Sequence, residues 1–178
     1  MATPSAPATH EDVTFEVAGE TFPAHRYILA ARSPVFMAEL FGSMEEKDAA
    51  CIYVDDMEAR VFKALVHFIY TDSLPEIDDD DIMVMAQHLL VAADRYSMEK
   101  MKVICEEKLR GYINATTVGN TLALAEQHGC HGLKKACFRF LMSRSNLKAA
   151  MAFDGFGHLT SSCPSVLYEL LAKITEVL

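Results

Sequence analysis

Tryptophan is missing from these 178 residues, and the cysteines number five, an odd count with no paired spacing. Thiols scattered singly among apolar neighbours read as reduced and buried, not as a disulfide framework. With no tryptophan and no run of closely spaced aromatics, the chain lacks a platform on which unpaired bases could stack. Basic charge is scarce too: 16 Lys and Arg stand against 25 Asp and Glu, for a formal charge of −9 and a pI near 5.2. No long Lys/Arg stripe follows from that balance, so nucleic acid is not an expected partner. Apolar runs stay short, the longest candidate, MVMAQHLLVAA, being broken by Gln87 and His88, so no membrane span is expected. The opening MATPSAPATH has no apolar segment of the kind a signal peptide needs. Together these absences point to an intracellular chain, in the nucleus, the cytoplasm or both. The sequon Asn114-Ala115-Thr116 would then go unused.

Chemistry is equally thin. There is no GxSxG, no HExxH, no phosphate-cradling glycine loop and no CxxC, so no catalytic residues, no enzyme and no cofactor are expected. His128, Cys130, His131 and Cys137 are donor types that zinc accepts. Gly129 and Gly132 make that segment read as a turn between helices, however, with Cys137 on an apolar face, so packed thiols are the better reading and no metal site is expected. The run Asp78–Asp81 has none of the alternation, glycine or distal glutamate of a calcium loop. It suits the start of a helix, where acidic charge meets the macrodipole.

What is present is half hydrophobic by residue count, at 51%, enough for a core in one domain or one domain with a small helical extension. Val13, Phe15 and Val17 alternate with polar residues as a half-buried strand does, Ala18-Gly19-Glu20 supplies a turn, and Thr21-Phe22 returns antiparallel until Pro23 ends the ladder. Ser33-Pro34 reads as the N-cap and first residue of a helix that Gly42 stops. Cys51–Val54 is a continuous apolar run and so a buried strand. Asp55 and Glu58 make a capping-box-like start for a helix with Val61, Leu65, Phe68 and Ile69 on one face. Further helices follow with Met85, Ala86 and Leu89 inward, then Met101, Cys105 and Leu109 behind a Ser97 cap, then Val118, Leu122 and Ala125 after Asn114 and Thr116. Leu133, Cys137, Phe140 and Leu141 mark the next. FDGFGHLTSSCPS reads as a looser segment before a last helix from about Pro164, with Leu167, Leu170, Leu171 and Ile174 inward. The class is α+β, a small sheet flanked by helical hairpins and followed by an all-helical extension.

The segments VAGETFPAHRYILAARSPVFMAELF, MEEKD, CIYV, VFKALVHFIYTDSLP and HLLVAADRYSMEKMKVICEEKL resemble the BTB (POZ) domain of the MATH-BTB proteins, above all their plant branch. The helices beyond are similar to that family's BACK extension. The resemblance implies a disordered tail over residues 1–10, a BTB/POZ domain over 11–111 and a BACK/3-box-like extension over 112–178. It implies cullin-3 as a partner and a role as the adaptor of a cullin-RING ubiquitin ligase, speeding ubiquitin transfer by proximity while doing no bond chemistry. The family's hydrophobic-x-Glu cullin motif falls on Met44-Glu45-Glu46, with Met44 the apolar anchor, Glu46 the acid and Phe41 beside them. A plainer role for Met44 is a contact folded back on the sheet. Asp12, His25 and Arg26 fall where many BTB domains carry a charged pocket near the dimer interface, and a structural ion pair is the preferred role. Two family features are missing from the sequence given, the substrate-capturing MATH domain and the long helix that opens the BTB fold. Their absence implies a weakened homodimer, or heterodimer with MATH-BTB relatives, and a chain that could occupy cullin-3 without delivering substrate. The other reading is a BTB pairing scaffold, such as a transcriptional co-regulator, with no cullin involved.

Overall fold

The computed structural model describes residues 11–42 and 51–177. They pack as two compact units, one built from the chain up to Glu76 together with Ala92–Glu99, the other from Ile77–Val91 and Lys100 onward.

The first unit is organised by a three-stranded sheet of order β2-β1-β3. Strands β1 (Val13–Val17) and β2 (Glu20–Ala24) form the expected hairpin. Ala18 and Gly19 both take positive φ, 50° and 82°, the backbone of the two-residue turn whose twist matches flanking strands. Pro23 does not end the ladder but pairs with Thr14 inside β2. The strand lies at a sheet edge, where a missing N–H is tolerated. β3 (Cys51–Val54) runs parallel to β1 on its other side. It is half-buried, not buried throughout: Ile52 and Val54 point inward while Tyr53 is 69% exposed, because an edge strand covers the core with one face only.

Two short helices follow β2, α1 (Arg26–Arg32) and α2 (Pro34–Phe41). Ser33 caps α2 as expected, its Oγ accepting from Phe36 N at 3.2 Å, while the same buried hydroxyl donates to the Tyr96 carbonyl at 2.6 Å. Gly42 closes α2, and a Cβ there would sit 2.2 Å from the Ala38 carbonyl oxygen. Helix α3 (Ala59–Thr71) buries Val61, Leu65, Phe68 and Ile69 as its pattern requires. Its N-cap is Glu58 without a side-chain bond, so the Asp55–Glu58 box does not form; Asp56 between them is left-handed, φ 58°. Asp72 closes α3 in the left-handed region and pairs with Arg32. Phe15 packs edge-on to Phe36 at 5.5 Å and against Phe62 at 5.2 Å, and Phe36 stacks on Tyr96 at 4.3 Å. Each such ring pair contributes about 0.5–1.5 kcal/mol beyond its burial.

Helix α4 (Ile82–Arg95) gives its residues to 91 to the second unit and the rest to the first. Ser97, expected as the cap of α5 (Glu99–Arg110), sits earlier than the cap position and takes φ 53°. In the second unit Asn114 Oδ1 accepts from the N–H groups of Thr116 and Thr117, a side-chain turn that leads into α6 (Val118–Gln127). Helices α7 (His131–Leu141), α8 (Arg144–Ala150), α9 (Asp154–Ser162) and α10 (Pro164–Val177) complete it. Val118, Leu122, Phe138, Leu141, Leu159, Val166 and Leu170 form its core. Leu171, expected inward, is exposed, and Val166 takes the buried place. The supposedly loose stretch is α9. Its Gly155 meets Gly119 of α6 so closely that a Cβ on Gly119 would lie 2.3 Å from the Gly155 carbonyl carbon. Glycine costs a helix about 1 kcal/mol against alanine, and here that cost is offset by backbone-to-backbone packing.

Candidate interaction surface

Asp12 stands just before β1 and reaches the start of α1. Its Oδ1 accepts from the Arg26 main-chain N–H at 2.8 Å, and Arg26 Nε donates to the Asp12 carbonyl at 3.3 Å. His25, the N-cap residue of α1, makes no side-chain cap bond, so Asp12 supplies from outside the helix the acceptor and the negative charge that an N-terminus favours. The His25 main-chain N–H donates to the Tyr70 hydroxyl at 2.9 Å, and its ring Nδ1 lies 2.7 Å from the same oxygen. Burial raises the Tyr70 pKa, the His25 N–H bond lowers it, and the charges of Glu11 and Asp12 raise it again, leaving it above its ordinary value. His25 Nε2 is buried and meets no acceptor or donor. Asp12, His25 and Arg26 are therefore gathered at one helix start, with Tyr70 as a fourth member that nothing in the sequence linked to them.

The same helical hairpin carries an apolar outer face. Tyr27 is 76% exposed, Met37 49% and Phe41 41%, and the Tyr27 and Phe41 rings lie 4.9 Å apart. Leu29, Phe36 and Leu40 hold the opposite face in the core. An exposed cluster of large apolar side chains marks an interaction surface. Tyr27 and Met37 were not singled out in the sequence, where only Phe41 of this cluster was named. Met44 and Glu46 lie outside the described residues.

Burial pushes the Cys105 and Cys137 thiols up to about 12, far from the thiolate a nucleophile needs. Cys130 is buried too, its Sγ 3.7 Å from the His128 carbonyl oxygen. Among the described residues no three His, Cys, Asp or Glu side chains are grouped to hold a metal ion, and no helix is long and apolar enough to cross a membrane.

The BTB/POZ domain family model matches residues 5–112, and the BPM/SPOP BACK domain model matches residues 117–171. This chain belongs to the BTB/POZ family. It is 45% identical over 170 residues to BTB/POZ and MATH domain-containing protein 3 of Arabidopsis thaliana, covering 92% of this chain and 42% of that protein. It is 41% identical over 174 residues to protein 4 of the same name, covering 92% and 37%, and 39% identical over 131 residues to mouse TD and POZ domain-containing protein 4, covering 74% and 35%. The chain thus spans less than half the length of these relatives. The BTB domain of zebrafish PATZ1 shares 25% identity at a TM-score of 0.46 over 56% of this chain and 75% of that one. The BTB/POZ fold with a BACK region is an adaptor-type, generally non-catalytic combination, and the α1–α2 face belongs to its BTB part.

Proposed function

We propose that this BTB/POZ protein is an adaptor subunit of a cullin-3 ubiquitin ligase, docking cullin-3 through the α1–α2 face and the segment that follows it. What supports the reading is the outward apolar cluster of Tyr27 on α1 with Met37 and Phe41 on α2, the last of them just ahead of the Met44-Glu45-Glu46 sequence. Full burial of a methionine side chain such as Met44 on a partner would contribute about 1.5–3 kcal/mol, the scale of an interface hot spot, and Phe41, already more than half buried, would add less. The methionine suits such a socket because its unbranched thioether adapts to the partner's shape. Asp12, His25 and Arg26 stay with the scaffold in this reading, fixing the entry to α1 beside a face used for BTB pairing. The protein contributes position: bound substrate lysines are held at high effective concentration near the ubiquitin-charged enzyme. The test is a pulldown with the cullin-3 N-terminal region, comparing wild type with the Met44→Asp/Glu46→Lys double variant and with Phe41→Glu. Capture by wild type and loss in both variants is expected. Failure of wild type to capture cullin-3, with a dimer still present in sedimentation, would replace the adaptor by a pairing scaffold.

A further inference from the structure

The cations of this acidic chain are not spread evenly. Four of its 16 Lys and Arg, namely Lys134, Lys135, Arg139 and Lys173, line one open groove of about 530 Å³ between α7 and α10, with Glu169 on the same wall. Along α7, His131, Lys135 and Arg139 follow one another at four-residue steps and so share one helical face. Lys134, Phe138 and Met142 follow the same step on the adjoining face. Phe138, only 4% exposed, and Met142 give the groove its apolar floor.

Ion pairs and ring contacts surround the floor. Lys134 Nζ lies 2.6 Å from both Glu126 and Glu169, and Lys173 lies 3.9 Å from Glu169. Both ammonium groups sit 5.7 Å from the Phe138 ring centroid, within cation–π range. Burial pulls the Lys134 pKa down, but the hydrogen bonds and charges of Glu126 and Glu169 outweigh it and leave it raised. Lys134 and Lys173 are thus committed to the protein's own carboxylates. Lys135 and Arg139 are exposed at the rim and enter none of these pairs, so their charge is open to an outside anion. A rim of uncommitted cations over an aromatic floor is complementary to a chain that brings both carboxylates and an apolar side chain.

We infer that the α7–α10 groove binds an acidic peptide segment, its Asp or Glu carboxylates on Lys135 and Arg139 and an apolar residue on the Phe138–Met142 floor. Arginine offers a carboxylate two parallel N–H bonds, which fixes the register of the peptide, while Lys135 acts as a point charge. The inference stands on the second unit alone and does not depend on cullin-3.

The test is fluorescence anisotropy on the full chain with short labelled peptides: an Asp/Glu-rich peptide with one central Phe, its Lys-rich counterpart, and a single-stranded oligonucleotide as competing anion. The acidic peptide should bind, lose affinity as salt is raised, and lose roughly tenfold or more in the Lys135→Glu/Arg139→Glu variant. Lys148→Glu, which removes an exposed cation on α8 outside the groove, should bind as wild type. If the double reversal does not fold by circular dichroism, Lys135→Gln/Arg139→Gln takes its place and should still weaken binding several-fold. No binding by wild type overturns the inference. So does an equal loss in Lys148→Glu, or an oligonucleotide that binds more tightly than the peptide through the same residues.

Discussion

Gly119 is the most exposed point of the second unit to a single added carbon. A Cβ built there lies 2.3 Å from Gly155 C, 2.4 Å from Gly155 O and 2.6 Å from Phe156 N, all of them main-chain atoms. Ordinary contact begins near 3.4 Å, so α6 and α9 must part by about 1 Å to admit a methyl group, and no side chain can rotate away to spare them. Overpacking costs about 1–3 kcal/mol, and a clash between two main chains falls in the upper part of that range, about 2–3 kcal/mol, against a gain of about 1 kcal/mol for replacing glycine by alanine within a helix. Gly119→Ala should therefore lose about 1–2 kcal/mol net, a fall in Tm of about 2–8 °C by calorimetry. Gly157→Ala is the matched control, on α9 with nothing within 4 Å of the added carbon, and should gain about 0.5–1 kcal/mol. A Gly119→Ala protein that melts at or above wild type would refute the close crossing of α6 and α9.

Ser33→Ala removes both the cap of α2 and the hydroxyl bonded to the buried Tyr96 carbonyl, so urea denaturation should show a loss of about 2–3 kcal/mol. At alkaline pH the buried groups set the limit: the Tyr96 phenol and the Cys105 and Cys137 thiols are all raised to about 12 from ordinary values of 10 and 9. Each keeps its full contribution below its ordinary value, and that contribution is lost as pH climbs through about 9–12, because the unfolded chain releases the proton first. Stability measured by denaturant at successive pH values should fall over that window, by up to about 1.4 kcal/mol per pH unit for each group titrating. At neutral pH a thiol reagent should label Cys51, which is half-buried, and leave Cys105 and Cys137 unmodified until the chain unfolds.

The sequence is most legible where local signals agree with burial. The β1–β2 hairpin follows from strict alternation and an Ala-Gly turn, α2 from Ser33-Pro34, and α3 from an apolar face that the core then covers. It fails where a tertiary contact overrides propensity. α9 carries two glycines and a run of Thr and Ser, and only its crossing with α6 makes a helix of it. α8, with a single fully buried residue in Ala150, left no apolar stripe to read. β3 looked buried because four apolar side chains in a row do not disclose which face is solvent. At the interaction surface, Asp12, His25 and Arg26 could be singled out as polar residues in apolar company, but Tyr70, some 45 residues further on, carried no signal. The basic groove escaped notice because Lys134, Lys135 and Arg139 make only a short cluster on α7, and Lys173 joins them only through the packing of α10.

The adaptor reading is tested most directly by calorimetric titration of the purified chain with the cullin-3 N-terminal region. Wild type should bind, with affinity falling at least tenfold, or about 1.4 kcal/mol, in Met44→Asp/Glu46→Lys. Identical affinity for wild type and the double variant would contradict it.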